Sequence, residues 1–378
     1  MRQALIVLAL VSALLHLYLG WRLLPALPWP GFGLALGGLW LMASTVLTPA
    51  PLLVRGIGNP RQADLLAWVG YLAMGVFSSL LVLTLLRELL LLAAALLPAG
   101  WFQPRLPERS AQGVVVLAGL FSLIGLLNAR RLAAVRRVDV PIANLPAALD
   151  GFRIVQLSDI HVGHTIQRGY LQAIVNRANE LNADLVALTG DLVDGSVHRL
   201  REHTAPLGAL RSRHGTFAVT GNHEYYSDAP SWVAEWRRLG ITPLLNEHRV
   251  IEHGGARLLV AGVTDYSAHR FDPAQRSDAA AAMAGAPSDI AARLLLAHQP
   301  RSAPGAAAAG FDLQLSGHTH GGQFLPWNWF VPMQQPYTAG LHRLRQLWVY
   351  TSRGTGYWGP PLRFGAPSEI TVLTLVAD

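Results

Sequence analysis

The chain has 378 residues, of which 51% are hydrophobic and 14% are charged, so it is more apolar than an average soluble enzyme. The absence of cysteine excludes disulfides and thiolate metal ligands. A net charge of +7 would suggest a nucleic-acid partner, but residues 1–137 carry 11 Arg against 3 acidic residues, and residues 138–378 carry 19 Arg against 20. Because the basic excess belongs to the apolar first third, we predict no nucleic-acid partner.

Four apolar runs fill the first third of the chain, at about 4–26, 31–54, 65–86 and 112–129. Each reaches or approaches the roughly 20 residues that a helix needs to cross about 30 Å of hydrocarbon. A cleaved signal peptide followed by a buried helical domain is the alternative, but it fits a long first run and three further runs poorly. The sequence therefore predicts an N-terminal transmembrane region of about four helices over residues 1–137.

Arg87 and Glu88 interrupt the third run, which otherwise extends towards residue 98. An ion pair in mid-membrane is costly, so we expect the bilayer segment to end there, with residues 89–98 at the interface or continuing the helix. Four spans put both termini on one side, which holds Arg2, Arg55, Arg61, Arg130, Arg131, Arg136 and Arg137. The other side holds Arg22, Arg105 and Arg109, plus Arg87 if the third span ends there. The arginine excess predicts a multi-pass protein of the bacterial inner membrane with a cytoplasmic C-terminal domain.

Residues 138–150 are predicted to be a short linker that keeps the following domain close to the bilayer. From residue 152 the pattern changes, and helical stretches at 168–181 and 229–240 separate short β-rich runs. Eight such runs lie at 152–157, 184–189, 215–220, 257–263, 293–297, 311–315, 346–351 and 369–376. This alternation predicts an α/β or α+β domain with a layered sheet core over residues 151–378.

Side chains that can bind metals follow five of these runs. The segment SDIH supplies Asp159 and His161, GDLVD supplies Asp191 and Asp194, GNHE supplies Asn222, His223 and Glu224, AHQP supplies His298, and GHTH supplies His318 and His320. Loops beyond the carboxyl ends of strands are where open sheets place their sites. A set of oxygen and imidazole ligands without sulfur suits Mn²⁺, Fe or Zn²⁺. Each motif alone is weak, but five in order predict a site for two cations with Asp191 as the natural bridging carboxylate.

The motif order DxH, GDxxD, GNH[DE], H and GHxH resembles that of the calcineurin-like metallophosphoesterases, over roughly residues 152–376. The resemblance implies a four-layer sandwich that binds two divalent metal ions, with Mn²⁺ favoured and Fe or Zn²⁺ possible. Matched residue by residue, it implies that Asp159, His161, Asp191 and His320 hold the first metal. It likewise implies that Asp191, Asn222, His298 and His318 hold the second.

The same resemblance implies that a metal-bridging hydroxide attacks phosphorus, that His223 protonates the leaving oxygen, and that Asp194 orients His223. An imidazole titrates near neutral pH and can serve as such a donor. The segments LSDIHVG, GNHEYY and LSGHTHGGQ and the tail SRGTGYWGPPLRFGAPSEITVLTL are similar to bacterial phosphodiesterases of the YaeI/YkuE type. Some relatives of that branch cleave the pyrophosphate of a UDP-linked diacylglucosamine, although simpler members have one membrane segment or a signal peptide where this chain has four runs.

Five further residues are candidates for substrate binding. His164 follows the first motif, and a solvent-facing loop histidine is the alternative. Arg353 and Arg363 carry the guanidinium fork that suits phosphate, and surface arginines are the alternative. Trp327 and Trp329 follow the last motif in FLPWNWFVP, as either an interfacial aromatic lip or core packing. The remaining histidines considered are predicted not to be ligands: His198, His203, His214, His248, His253, His269 and His342.

The sequence is compatible with three functions. The favoured one is a membrane-anchored phosphoesterase that hydrolyses a phosphodiester or pyrophosphate bond in a lipid-linked, amphiphilic substrate. The second is a membrane-tethered phosphatase or phosphodiesterase of a soluble nucleotide or phosphomonoester. The third is a catalytically inactive membrane sensor or scaffold, against which the intact His223 and Asp194 argue.

Overall fold

The computed structural model describes residues 2–98 and 103–378. The chain forms two compact units. The helical unit comprises Met1–Asn128 together with Gly359–Leu362, and the sheet unit comprises Ala129–Trp358 together with Arg363–Asp378.

The helical unit contains the long apolar helices α1 (Arg2–Leu23), α2 (Gly31–Leu47), α3 (Pro60–Ala95) and α4 (Leu106–Arg130). Four segments of the described chain are long and apolar enough to cross a membrane: Ile6–Ala26, Gly31–Leu52, Pro60–Ala95 and Leu106–Arg130. The helices pack through a shared apolar cluster that includes Leu19, Phe77, Leu80 and Val114. The predicted four-helix membrane region is therefore confirmed.

Helix α3 continues through Arg87 and Glu88 without a break. Arg87 is only 5% exposed, and its guanidinium donates to Ser110 Oγ (3.1 Å), to the Pro107 carbonyl (3.0 Å) and to Glu88 Oε1 (2.8 Å). Glu88 also pairs with Arg22 of α1. Because these charges pair with one another and with polar groups of α4, the helix can continue past them and ends at Ala95.

The sheet unit is built from two six-stranded sheets. Its strands are β1 (Ala134–Ile142), β2 (Arg153–Leu157), β3 (Leu185–Leu188), β4 (Thr216–Ala218), β5 (Thr242–Pro243), β6 (Glu247–His253), β7 (Ala256–Gly262), β8 (Ala292–Leu296), β9 (Leu313–Ser316), β10 (Gly340–Leu344), β11 (Leu347–Thr351) and β12 (Glu369–Ala377). Its helices are α5 (Arg168–Asn179), α6 (Val197–Thr204), α7 (Asn222–Tyr226), α8 (Ala229–Arg238), α9 (Ala279–Met283) and α10 (Ala303–Ala308).

The first sheet has the strand order β1-β12-β2-β3-β4-β5, and the second has the order β10-β11-β9-β8-β7-β6. Strands β2 to β5 run parallel in the first sheet, and β7, β8, β9 and β11 run parallel in the second. Parallel strands are buried on both faces and read as continuous apolar runs, which explains why the sequence reveals them.

Three apolar clusters define the layers of the sheet unit. One lies between the sheets and joins residues such as Ile154 and Leu185 of the first to Leu258 and Leu294 of the second. A second packs α5 and α8 against the first sheet, and a third packs α9 and α10 against the second. The order helices, sheet, sheet, helices confirms the predicted four-layer α/β sandwich.

All eight predicted β-rich runs contain strands, but the predicted linker at 138–150 needs correction. Its first residues belong to β1, which pairs in parallel with β12 from Ala134 opposite Glu369 to Ile142 opposite Ala377. Strand β1 lies at a sheet edge and is largely exposed over its first half. An edge strand tolerates the charged residues and the proline of the sequence AVRRVDVPI, and these features conceal the strand in the sequence.

Candidate metal centre

The predicted ligands and the predicted proton donor lie just beyond the carboxyl ends of parallel strands. Three loops follow β2, β3 and β4 of the first sheet, and two follow β8 and β9 of the second. Their side chains are Asp159 and His161 after β2, Asp191 and Asp194 after β3, Asn222 and His223 after β4, His298 after β8, and His318 and His320 after β9. Parallel strands end at a common edge, so the topology gathers residues that are far apart in the sequence.

One group of ligand atoms belongs to Asp159, His161 and His320, all within 4.8 Å of one another. The Nε2 atoms of His161 and His320 are 3.0 Å apart, and Nε2 of His320 is 3.5 Å from Asp159 Oδ1. Ligand atoms that bind one ion at about 2.0–2.2 Å are separated by roughly 3 Å, so this spacing fits a single cation. All three side chains are buried.

A second group belongs to Asp191, His298 and His318. Nε2 of His298 lies 3.1 Å from Asp191 Oδ2 and 3.2 Å from His318 Nδ1. Asp191 Oδ2 is also 4.0 Å from His161 Nε2 in the first group. Asp191 therefore lies between the two groups, in the position expected of a bridging carboxylate, and His318 and His320 serve different groups.

The hydrogen bonding around these residues fits cations. Nδ1 of His161 lies 3.0 Å from Asp194 Oδ1, and Nδ1 of His298 lies 2.8 Å from the Thr189 carbonyl. Both acceptors require an N–H, so each ring in its neutral form directs the lone pair of Nε2 into the site. Nε2 of His298 then faces the Asp191 carboxylate, and a proton or a cation must lie between them. Burial lowers the pKa of His298, but the nearby Asp191 outweighs burial and raises it well above its ordinary value.

Asn222 completes the argument for a metal-binding site. Its Oδ1 is buried and has no hydrogen-bond partner. A buried acceptor without a donor is costly, and a bound cation would satisfy it. The oxygen and nitrogen ligands present therefore fit two divalent cations of the Mn²⁺, Fe or Zn²⁺ class.

The ligand loops have an unusual backbone. Five predicted ligands adopt positive φ: Asp159 (53°), His161 (56°), Asp191 (51°), His318 (71°) and His320 (51°). Non-glycine residues in this region are strained, and such strain concentrates at functional sites. Gly317 has a different part, because the absence of a side chain lets the loop after β9 approach the loop after β2. A Cβ at Gly317 would lie 2.0 Å from Ser158 Oγ and 2.1 Å from Asp159 Oδ2.

Asp194 contacts two histidines. Its Oδ1 lies 2.6 Å from Nδ1 of His223 and 3.0 Å from Nδ1 of His161. Burial raises the pKa of Asp194, but His161 and His223 outweigh burial and lower it below its ordinary value. Burial lowers the pKa of His223, but Asp191 and Asp194 outweigh burial and raise it to about 9. The predicted pairing of Asp194 with His223 is present, and Asp194 also orients a predicted metal ligand, which the sequence did not indicate.

The sequence motifs include Glu224 but do not indicate its role. It is fully buried, and its carboxylate accepts backbone N–H groups from Asp191 (3.0 Å), Leu192 (2.8 Å) and Gly221 (2.7 Å). Burial and the neighbouring Asp191 raise its pKa to about 8. Glu224 thus ties the loop after β3 to the loop after β4, and its place as the fourth residue of GNHE was the available signal.

Arg363 and Arg353, the two predicted phosphate-binding residues, have different environments. Arg363 is 1% exposed and donates to the carbonyls of Gly356, Arg353, His320 and Ala366, with Nη2 also 3.1 Å from His320 Nδ1. Arg353 donates to Glu369 Oε2 (3.0 Å). For Arg363 the prediction of substrate binding is corrected, because its N–H groups support the backbone beneath His320. Arg353 is engaged by Glu369 in the same region.

The other three predicted substrate residues are outside the ligand groups found among the described residues. His164 lies beside Arg199, with Nδ1 3.5 Å from Nη2. Trp327 and Trp329 are 45% and 67% exposed, so the alternative of core packing does not hold for them. Asn328, which lies between the two tryptophans, packs directly against Gly322, just after the last motif. A Cβ added at Gly322 (φ 81°) would lie only 2.1 Å from Asn328 Cα. The two tryptophans therefore lie close in the structure, as well as in the sequence, to the turn that carries His318 and His320.

Two aromatic residues beside His223 were not assigned from the sequence. The rings of Tyr226 and Trp358 have centroids 5.2 Å and 5.7 Å from that of His223. They occur in the quoted segments GNHEYY and SRGTGYWGPPLRF, but nothing local to either segment indicates contact with His223.

The chain is similar to several known proteins. A family model described as calcineurin-like phosphoesterase matches residues 152–322. A cattle protein named transmembrane protein with metallophosphoesterase domain is 42% identical over 284 residues, covering 72% of this chain and 64% of its own. The metallophosphoesterase YkuE of Bacillus subtilis is 31% identical over 246 residues, covering 61% of this chain and 81% of its own. The solved structure of the calcineurin-like phosphoesterase YfkN from Bacillus subtilis matches with a TM-score of 0.35 at 12% identity, covering 53% of this chain and 88% of that chain.

The chain spans about three fifths of the length of the first curated relatives that it matches. The match to YkuE nevertheless covers most of that protein, and the family model covers every predicted ligand and the predicted proton donor. The chain therefore belongs to the calcineurin-like metallophosphoesterase family.

Proposed function

We propose that this membrane protein hydrolyses a phosphodiester or pyrophosphate bond in an amphiphilic, lipid-linked substrate. The observation that carries the proposal is the pair of ligand groups that meet at Asp191, beside exposed aromatic residues in a chain with four apolar helices long enough to span a membrane. The motif arrangement supports the phosphoesterase activity, and the exposed aromatic residues support the choice of substrate.

The ligand groups fit two divalent cations, with Mn²⁺ as our first choice. Asp159, His161 and His320 would hold one, Asn222, His298 and His318 the other, and Asp191 would bridge them. When bound, such a pair supplies a nucleophile at neutral pH and neutralises charge on the phosphate. Hydrogen bonds to the ring nitrogens that face away from the cations would hold the ligand histidines in position. Asp194 orients His161 in this way, and the Thr189 carbonyl orients His298.

His223 is proposed to donate a proton to the leaving oxygen. Its Nδ1 is 2.6 Å from Asp194, which leaves Nε2 as the atom that can reach a substrate. Its backbone N–H donates to Asp191 Oδ1 (2.8 Å), so the donor is fixed to the bridging carboxylate. The side chain is 15% exposed, which allows contact with a substrate while excluding most water.

The substrate is proposed to be amphiphilic because of the residues that follow the last motif. Leu325, Trp327, Trp329, Phe330 and Met333 are all at least 36% exposed. Exposed apolar residues in one short segment indicate a contact with a membrane or an apolar ligand, and tryptophan favours the membrane–water interface. A tail could remain in apolar surroundings here while the phosphate reaches the ligand groups.

The sheet unit is proposed to be cytoplasmic, in a bacterial inner membrane. The support is the distribution of arginines in the sequence: seven lie on the side of the membrane that holds both termini, and three or four lie on the other side. A reporter fused after Asp378 should be active only if it is of a type that functions in the cytoplasm. Activity of a periplasmic reporter would contradict the orientation and leave the proposed chemistry intact.

The experiment that tests the function uses the full chain, purified in detergent. Chelation should abolish hydrolysis of an activated phosphodiester, and added Mn²⁺ should restore it. A panel of phospholipids, UDP-linked lipids and nucleotides then identifies the substrate class. Full activity of the metal-stripped protein would contradict the metal-dependent reaction, and preference for nucleotides would favour a soluble substrate. Inactivity towards the whole panel with Mn²⁺ bound would favour a sensor or scaffold.

A double substitution tests the amphiphilic substrate. Trp327→Ser with Trp329→Ser should raise the KM for a lipid substrate about tenfold, in line with the loss of one large apolar contact, and leave kcat nearly unchanged. The matched control replaces both residues with Phe and should retain most of the affinity. Equal losses on lipid and small soluble phosphodiesters would contradict a lipid-binding role for these tryptophans.

A further inference from the structure

Two aromatic rings flank the proposed proton donor. Tyr226 meets the ring of His223 edge to face at 5.2 Å and 70°, and Trp358 does so at 5.7 Å and 74°. Each aromatic side chain remains 51% exposed. Rings that only shielded His223 would be covered themselves, whereas these leave half of their surface available to a ligand.

The position of Trp358 is fixed by Gln323. The Gln323 side chain donates to the Trp358 carbonyl (2.8 Å) and accepts the Trp358 backbone N–H (2.9 Å). Gln323 is 7% exposed, has a φ of 58°, and lies three residues after His320. A buried amide that forms two hydrogen bonds with one residue fixes the backbone of that residue. The segment that directly follows the last predicted metal-binding motif therefore also determines where Trp358 lies.

Tyr226 is fixed by its helix and by a second aromatic residue. It ends α7, the short helix that contains Asn222 and His223. Its ring packs on Phe271 at 5.6 Å, and Phe271 in turn packs on Tyr225 at 5.6 Å. The two flanking rings are therefore held by different parts of the chain, and both adjoin the same imidazole.

We propose that Tyr226 and Trp358 form the leaving-group subsite and bind the apolar part of an amphiphilic leaving group. The inference rests on the proposed function, because it takes His223 as the donor to the leaving oxygen. That oxygen must come within about 3 Å of Nε2 of His223, so the atoms bonded to it lie near the imidazole that both rings contact. In the reaction, water supplies the new oxygen on phosphorus, and one P–O bond breaks. His223 gives its proton to the departing alcohol, and the proton released from water returns to His223 through solvent.

Two isomeric phosphodiesters test the proposal on the full chain in one detergent with Mn²⁺. Methyl p-octylphenyl phosphate carries its tail on the leaving phenol, and octyl p-methylphenyl phosphate carries the tail on the retained group. The isomers have the same composition, and their leaving phenols are nearly equal in acidity, so partitioning into detergent and the need for proton donation are matched. Methyl p-methylphenyl phosphate is the tail-free reference.

The wild-type protein should prefer the isomer with the tail on its leaving group by about tenfold in kcat/KM, as expected for burial of an apolar chain against the rings. Trp358→Ala and Tyr226→Ala should each bring the ratio between the isomers towards one, and Trp358→Phe should retain it. Gln323→Ala should lower the ratio as Trp358→Ala does, because Gln323 acts through Trp358.

The outcomes separate this proposal from the function on which it rests. Metal-dependent hydrolysis of all three esters without an isomer preference in the wild type would overturn the leaving-group subsite and leave the phosphodiesterase intact. A preference that survives Trp358→Ala and Tyr226→Ala would overturn the assignment to these rings. Failure to hydrolyse any of the three with Mn²⁺ bound would overturn the proposed function together with this inference. The wild type and Trp358→Phe retain an aromatic ring, so the test does not depend on a truncated variant folding.

Discussion

Buried charged groups occur in both units, and they are balanced in different ways. In the helical unit, Arg87 is surrounded by Glu88, Ser110 and the Pro107 carbonyl, and Glu88 is shared with Arg22. Each donor meets an acceptor of the chain. In the sheet unit, His298 Nε2 faces the Asp191 carboxylate, and Asn222 Oδ1 has no partner. Acceptors there are directed at one another.

This difference separates a structural role from a chemical one. A closed network in an apolar helical unit holds helices together and has no bonding capacity left for a ligand. A cluster of acceptors with strained backbones stores unfavourable energy that cations can relieve. Substitutions in the two clusters should therefore have opposite effects on activity and stability.

The largest expected effect is at Asp191. Asp191→Ala should reduce hydrolysis to the level of the metal-stripped protein, because the substitution removes the carboxylate that lies between the two ligand groups. Asp191→Asn retains an acceptor for the His223 N–H while removing the charge, so it separates metal binding from packing. It should lower bound metal, measured by elemental analysis, without lowering the melting temperature of the metal-free protein. A large drop in that melting temperature would show that Asp191 serves stability, as the helical cluster does.

The second effect is at His223. His223→Ala should keep both metals and lose about 10²–10⁴-fold in turnover of esters with poor leaving groups, the usual contribution of general acid catalysis. The loss should shrink for nitrophenyl esters, whose leaving group needs no proton. Comparing the two ester classes at saturating Mn²⁺ measures this, and equal losses on both would remove His223 from the role of proton donor.

Sequence patterns predicted the features that depend on local chemistry. Apolar runs of sufficient length indicated the four helices, and short apolar runs ending in polar motifs indicated a layered sheet core with a site beyond the carboxyl ends of its strands. Strand β1 was missed because its exposed edge carries Arg136, Arg137 and Asp139, which resemble a linker. The left-handed conformation of five ligands was also invisible, since Asp and His adopt it only where the surrounding structure imposes it.

Long-range contacts account for the remaining differences. Arg363 has the chemistry to bind a phosphate or several carbonyls, and only the fold shows that it is buried beneath His320. The ring of Trp358 contacts that of His223, and Gln323 holds Trp358 in place. These three residues are far apart in the chain, and no simple spacing connects them. Asp194 was recognised by its motif, but its second contact to His161 depends on how two loops meet.

An intermediate effect is expected at Asp194, which touches both a proposed ligand and the proposed donor. Asp194→Asn keeps the shape but weakens the hydrogen bonds to His161 and His223, so activity should fall about 10–100-fold, as for other outer contacts of metal ligands. In a His223→Ala background the same change should still weaken metal affinity, measured by competition with a chelator. No further loss of affinity there would confine Asp194 to orienting His223.

The smallest effect on activity is expected in the helical unit. Arg87→Ala removes the donor to Ser110, Pro107 and Glu88, but Glu88 keeps its partner Arg22. The free energy of unfolding should therefore fall by about 1.5–3 kcal/mol, the range for hydrogen bonds to charged groups, which is less than the cost of leaving a buried charge without a partner. Bound metal and turnover of a soluble ester should stay at wild-type levels. Arg109→Ala, an exposed arginine on α4, is the matched control and should change neither quantity. If Arg87→Ala instead lowers turnover while the melting temperature in detergent is unchanged, the buried charges of the helical unit take part in the reaction, and the contrast between the two units fails.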